Sequence, residues 1–246
     1  MSDNVYLFRG CLIPTRLPFL ERSSLFVLDK LGINYELLPN ATCCIEPIGL
    51  RSLAVDTWLV VAARMLSIAE QDGRDILTLC NGCYVSLKEA RQILRSKGER
   101  DKVNSILDEI GMEYRGKVDV QHLYGLLKGI GREIDSCVVS PQDALRVAIH
   151  PGCHIVRPSE VTGIGRHFSP DVLSDIVRLA GAKVAWTQDW PRCCGGGISR
   201  TSNDLSMKVL EDSLCEFREA GANSILTPCP FCFLQFDLKQ KDGIPV

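Results

Sequence analysis

Short apolar runs alternating with longer periodic stretches frame this chain. Val5-Tyr6-Leu7-Phe8 is stopped by Arg9-Gly10, which predicts a buried strand ending in a turn. Over 17–31, Leu20, Leu25, Val27, Leu28 and Leu31 recur at helical spacing, and Gly32 closes the pattern. Residues 35–38 read as the next strand. Residues 50–69 read as a helix apolar on more than one face, hence largely buried. A third strand is expected over 75–79, then two helices over 84–110 broken near Ser96-Lys97-Gly98. A strand at 118–120 and a helix at 122–130 follow.

The stretch 131–144, with Gly131, Ser136, Ser140 and Pro141, is expected to be a linker. The order then restarts: strand 145–149, helix 170–180, strand 183–186, helix 204–220, strand 224–227. This alternation predicts an α/β fold of two duplicated Rossmann-like domains with parallel sheets, at 1–136 and 145–246. Gly243-Ile244-Pro245-Val246 answers Lys117-Val118-Asp119-Val120, where the first half opens a strand. The second domain is therefore expected to be shortened at its C-terminus or to close differently.

The cysteines follow the same duplication. Cys11, Cys43-Cys44 and Cys80-Asn81-Gly82-Cys83 form one set; Cys153, Cys193-Cys194 and Cys229-Pro230-Phe231-Cys232 form the other. Equivalent positions lie 142, 150, 150, 149 and 149 residues apart, so order and spacing are both kept. A period this long indicates a duplicated domain and not a solenoid repeat. Pro191-Arg192-Cys193-Cys194-Gly195-Gly196-Gly197 is the densest stretch: adjacent soft ligands, with glycines that let the backbone approach what they hold.

Each cysteine segment follows a predicted strand, and in an open parallel sheet the loops at the carboxyl ends share one edge. Five thiols per half therefore converge. Helices leaving those loops turn their positive ends toward thiolates. Four-coordinate zinc needs one ligand fewer than each set supplies, and iron–sulfur ligation fits five better. Zinc and a dithiol relay remain the alternatives at this point. Ten buried apolar cysteines would not account for two registered sets.

Composition narrows the setting. With 246 residues, 46% hydrophobic, the chain can bury two cores. A formal charge of −2 without basic runs gives no case for nucleic acid. No basic region precedes an apolar stretch at the N-terminus, and the longest apolar run, 58–63, is too short for a membrane span. Twelve cysteines without an export signal point to a reducing compartment, and a cytoplasmic setting is expected.

Outside the two sets, Cys137 and Cys215 have no partner in the repeat, and Cys215 is expected to pack in the core beside Leu214 and Phe217. His154 follows Cys153 where Leu12 stands in the first half, making it a candidate catalytic donor or a loop brace. His150 ends a strand and reads as structural. Gly163-Ile164-Gly165 lacks a strand in the right register for a dinucleotide site.

On these residues the chain resembles the CCG-domain family, most closely the heterodisulfide reductase B subunits of methanogenic archaea. The pattern of a cysteine, a Cys-Cys-Gly and a Cys-x-x-Cys occurs twice and covers essentially the whole chain; Ile45 departs from it, standing where the first glycine would. The resemblance implies two noncubane [4Fe-4S] clusters, each held by the five cysteines of one half. It implies an enzyme of methanogenesis that reduces the mixed disulfide of coenzyme M and coenzyme B to the two thiols. It also implies a C subunit carrying iron–sulfur clusters and an A subunit carrying flavin and iron–sulfur clusters as partners. Because the chain has no Cys-x-x-Cys-x-x-Cys run, electrons are expected from another polypeptide. Cluster potentials span about −700 to +450 mV, a range that contains disulfide couples near about −120 to −270 mV. The rival expectation is an iron–sulfur electron-transfer subunit of another CCG-domain oxidoreductase, of the fumarate reductase or glycolate and lactate oxidation kinds.

Overall fold

The computed structural model describes residues 4–45, 47–164, 173–187, 192–240 and 243–246. Gly165, Pro191 and residues 170–172 of the expected helix lie outside the described residues. The chain divides into two compact units, Met1–Leu123 and Tyr124–Val246.

In the first unit, strands β1 (Asn4–Phe8), β2 (Asn34–Leu37), β3 (Ile76–Thr78) and β4 (Val120–His122) form a parallel sheet in the order β2-β1-β3-β4. Val5 to Phe8 and all of β3 are buried, as strands covered on both faces should be. β2 lies at the edge, short and largely exposed, and its Glu36 pairs with Arg74. The helix Val55–Gln71 buries Trp58, Leu59, Ala62, Ala63, Met65, Leu66 and Ala69, at spacings of three and four. Each large side chain among them contributes roughly 1.5–3 kcal/mol on burial. The helix packs on its neighbour, Asn81–Ile93.

The second unit repeats the plan. β5 (Arg146–Ile149), β6 (Lys183–Thr187) and β7 (Ser224–Leu226) are parallel in the order β6-β5-β7, the counterpart of β2-β1-β3. The chain end follows β7 as β4 follows β3: Ile225 N donates to Pro245 O at 2.7 Å, and Ile76 N donates to Asp119 O at 2.9 Å. No helix among the described residues is long and apolar enough to cross a membrane.

Three details differ from the sequence reading. The chain divides between Leu123 and Tyr124, ahead of the division expected between 136 and 145. The stretch expected as a linker holds a helix, Gly131–Cys137, which packs on the helix Ser174–Leu179 and so belongs to the second unit. A short helix, Leu12–Arg16, opens directly after Cys11; five residues are too few to show a period in the sequence.

Candidate metal centres

In both sheets the chain runs first to one side of the starting strand and then to the other, so the order reverses between β1 and β3 and between β5 and β7. Such a switch point leaves a crevice at the carboxyl ends of the strands. Cys11 follows β1 and Cys80 follows β3; Cys153 follows β5 and Cys229 follows β7. The Cys-Cys loops follow β2 and β6. Topology alone thus brings each set to one edge.

The first set is joined sulfur to sulfur. Cys11 hydrogen-bonds Cys43, Cys43 hydrogen-bonds Cys44, Cys44 hydrogen-bonds Cys83, and Cys83 hydrogen-bonds Cys80. Cys80 precedes the helix Asn81–Ile93, and the backbone N–H groups of Gly82 and Cys83 point at its sulfur. The Cys83 thiol and those N–H groups lower the Cys80 pKa despite complete burial. Partial desolvation of its sulfur raises that of Cys11, with Cys43 and Cys80 adding to it.

Close approach at this edge requires glycine. Gly10, at φ +66°, precedes Cys11, and a Cβ there would stand 2.7 Å from Cys83 Sγ. Cys11 and Cys43 are exposed; Cys44, Cys80 and Cys83 are buried.

The second set is joined in the same way: Cys193 to Cys194, Cys194 to Cys232, Cys232 to Cys229, with Cys153 close enough to feel the charges of Cys229 and Cys194. Burial pushes Cys153 up to about 11. Cys194 is the thiol held far below its usual range, because Cys193 and Cys232 hydrogen-bond its sulfur and His150 adds a further contact. Cys193 is raised correspondingly, its proton shared toward Cys194. Gly195 N lies 3.3 Å from Cys193 Sγ and Gly196 N lies 3.4 Å from Cys194 Sγ. Gly195, at φ +86°, has Ser206 O where a Cβ would be, at 2.6 Å. Its counterpart Ile45 takes φ +53°, a left-handed conformation that branched residues rarely adopt.

Each Cys-Cys loop is tied to the core by a buried polar pair from the two helices beneath it. In the first unit Trp58 Nε1 donates to Ser86 Oγ at 2.8 Å, and Ser86 Oγ donates to Cys44 O at 2.7 Å. In the second, Gln235 Nε2 donates to Ser206 Oγ at 3.0 Å, and Ser206 Oγ donates to Gly195 O at 2.9 Å.

None of the twelve cysteines is in a disulfide. Cys137 is exposed at the end of its helix. Cys215 is exposed too, its Sγ 3.5 Å from Glu219 Oε1, which corrects the expectation of core packing. Leu214 and Phe217 do face the core, but one residue turns a helix by about 100°, enough to carry Cys215 to solvent.

His154 lies half-buried on the turn Cys153–Ile155. His150 reads from the sequence as structural, yet it is fully buried, and its ring nitrogen and the sulfurs of Cys194 and Cys232 lie within 4.8 Å of one another. The repeat carries the clue: His150 falls where the first half has Phe8.

Five soft donors per unit, several buried and several receiving backbone N–H groups, suit a multinuclear sulfur-bridged group and exceed what four-coordinate zinc takes. The donor sets, with the close backbone approach that Gly10 allows to Cys83 and Gly196 to Cys194, fit an iron–sulfur cluster.

The chain matches the CCG cysteine-rich domain over residues 5–88 and 147–237, one stretch in each unit. It is 41% identical over 239 residues to the B subunit of the ferredoxin/F(420)H(2)-dependent CoB-CoM heterodisulfide reductase of Methanosarcina acetivorans, covering 95% of this chain and 79% of that one. It is 29% identical over 245 residues to the 8-methylmenaquinol:fumarate reductase membrane anchor subunit of Wolinella succinogenes, covering 99% of this chain and 85% of that one. In fold it is similar to a hypothetical protein from Helicobacter pylori, with a TM-score of 0.73 at 15% identity, covering all of this chain and 47% of the other.

Proposed function

The chain belongs to the CCG cysteine-rich family, and from that premise we propose that it is the catalytic subunit of a heterodisulfide reductase. It reduces the coenzyme M–coenzyme B mixed disulfide to the two thiols, using two noncubane [4Fe-4S] clusters, one in each unit. Cys11, Cys43, Cys44, Cys80 and Cys83 hold one; Cys153, Cys193, Cys194, Cys229 and Cys232 hold the other. The observation that carries this reading is the pair of registered five-thiol sets, each gathered at the switch point of a parallel sheet.

When bound, the clusters supply the two electrons that opening one S–S bond consumes, with two protons completing the thiols. The chain's own groups prepare for the accompanying negative charge. The amides of Gly82 and Cys83 face Cys80, and those of Gly195 and Gly196 face the second Cys-Cys pair. The pairs Trp58–Ser86 and Gln235–Ser206 hold the two Cys-Cys loops in place. His154, beside Cys153, is the candidate donor to a departing thiolate. The partners in this reading are the flavin-bearing A subunit and the iron–sulfur C subunit, in the cytoplasm of a methanogen.

The test is an anaerobic assay of the purified chain with its partner subunits and a reduced donor. Formation of two free thiols per heterodisulfide supports the reading; cluster reduction without turnover overturns it. A second reading, an electron-transfer subunit of another CCG oxidoreductase, is favoured by the likeness to the fumarate reductase subunit. That reading gives the second outcome.

A further inference from the structure

The strand registers define which residues answer one another. Tyr6 sits opposite Ile76 and Ala148 opposite Ile225, so two residues further on, His150 takes the position of Phe8. Both side chains are fully buried. One unit thus places an aromatic hydrocarbon at the end of its first strand, and the other an imidazole. A buried imidazole costs stability unless its nitrogens are engaged. Here the ring stands edge-on to Phe236, at 4.9 Å between centroids, and its backbone N–H is fixed on Leu226 O at 2.9 Å. One ring nitrogen lies with the Cys194 and Cys232 sulfurs in a group whose members are all within 4.8 Å of one another.

We propose that His150 is a positioning residue of the second site. Its N–H donates to the Cys194 sulfur and makes that site accept an electron more readily than its counterpart in the first unit. This rests on the reading of both cysteine sets as cluster sites. A donor to a ligating sulfur stabilises the more negative, reduced state, so it raises the reduction potential. The Phe8 ring has no N–H to offer. The duplication would then have produced two sites with equal ligands and unequal potentials, an ordering suited to taking electrons one at a time and keeping the second unit charged first.

The experiment is a spectroscopic redox titration of the full chain, purified anaerobically with its iron and sulfide, beside His150→Phe and His150→Asn. Two one-electron transitions are expected in the unaltered protein. His150→Phe, which copies the first unit, should lower the higher of them by about tenfold in the oxidised-to-reduced ratio, or about 59 mV, and leave the other in place. His150→Asn keeps an N–H and should restore most of that shift. Iron and sulfide content should be unchanged in both. A His150→Phe protein with full iron content and unmoved transitions overturns the proposal; so does loss of one cluster, which would make His150 a ligand or a structural brace. Absence of iron and sulfide from the unaltered chain would instead overturn the cluster reading beneath it.

Discussion

Trp58 Nε1 donates to Ser86 Oγ at 2.8 Å, and at the equivalent place in the second unit Gln235 donates to Ser206. Duplication has preserved a buried link between two helices while exchanging the groups that make it. In each case the hydroxyl passes the link on to a carbonyl of the Cys-Cys loop. Ser86→Ala leaves the Trp58 N–H and the Cys44 carbonyl buried without this partner. The expected cost is about 1–3 kcal/mol in urea unfolding of the cluster-free chain. An unchanged unfolding curve would show that the link contributes nothing.

Gly195→Ala combines two penalties. The left-handed conformation costs a non-glycine residue about 1–2 kcal/mol. The added Cβ would also meet Ser206 O at 2.6 Å, and that carbonyl belongs to a helix that cannot shift alone. The variant should lose at least that much stability and bind less iron per chain, both measurable on one anaerobic preparation.

His122 closes β4, edge-on to Tyr84 at 5.7 Å, and burial lowers its pKa from 6.5 to about 3. Between these values the unfolded chain carries a proton that the folded chain lacks, so stability is full above about 6.5 and falls as the pH drops toward about 3. The slope from this residue should reach about 1.4 kcal/mol per pH unit. Comparing the cluster-free chain with His122→Asn at several pH values checks it: the variant should show the shallower dependence.

Much of this is legible in the sequence because the chain states its plan twice. Parallel sheets follow from the alternation of strands and helices, and the gathering of five thiols per unit from cysteines placed directly after strands. The strand order does not, since periodicity cannot say on which side of β1 a crossover helix passes. The helix Gly131–Cys137 is hidden because its composition is that of a loop and packing on Ser174–Leu179 holds it. Cys215 differs from its expected place by a single position on its helix. His150 escapes notice because a histidine ending a strand looks ordinary until register sets it against Phe8.

His154→Ala should keep both clusters and slow disulfide reduction on the order of 10–100-fold, if its hydrogen bond to a departing thiolate contributes about 1.5–3 kcal/mol. Steady-state turnover with iron content measured alongside decides the matter. Unchanged turnover would remove the catalytic role, and loss of one cluster would make the residue structural.

The most direct test of the account is metal and acid-labile sulfide analysis of the anaerobically purified chain, with Cys137→Ser and Cys215→Ser beside it. Two four-iron clusters predict about eight irons and about eight sulfides per chain, unchanged in both variants. Stoichiometric zinc with negligible sulfide, or loss of iron when Cys137 or Cys215 is replaced, would contradict it.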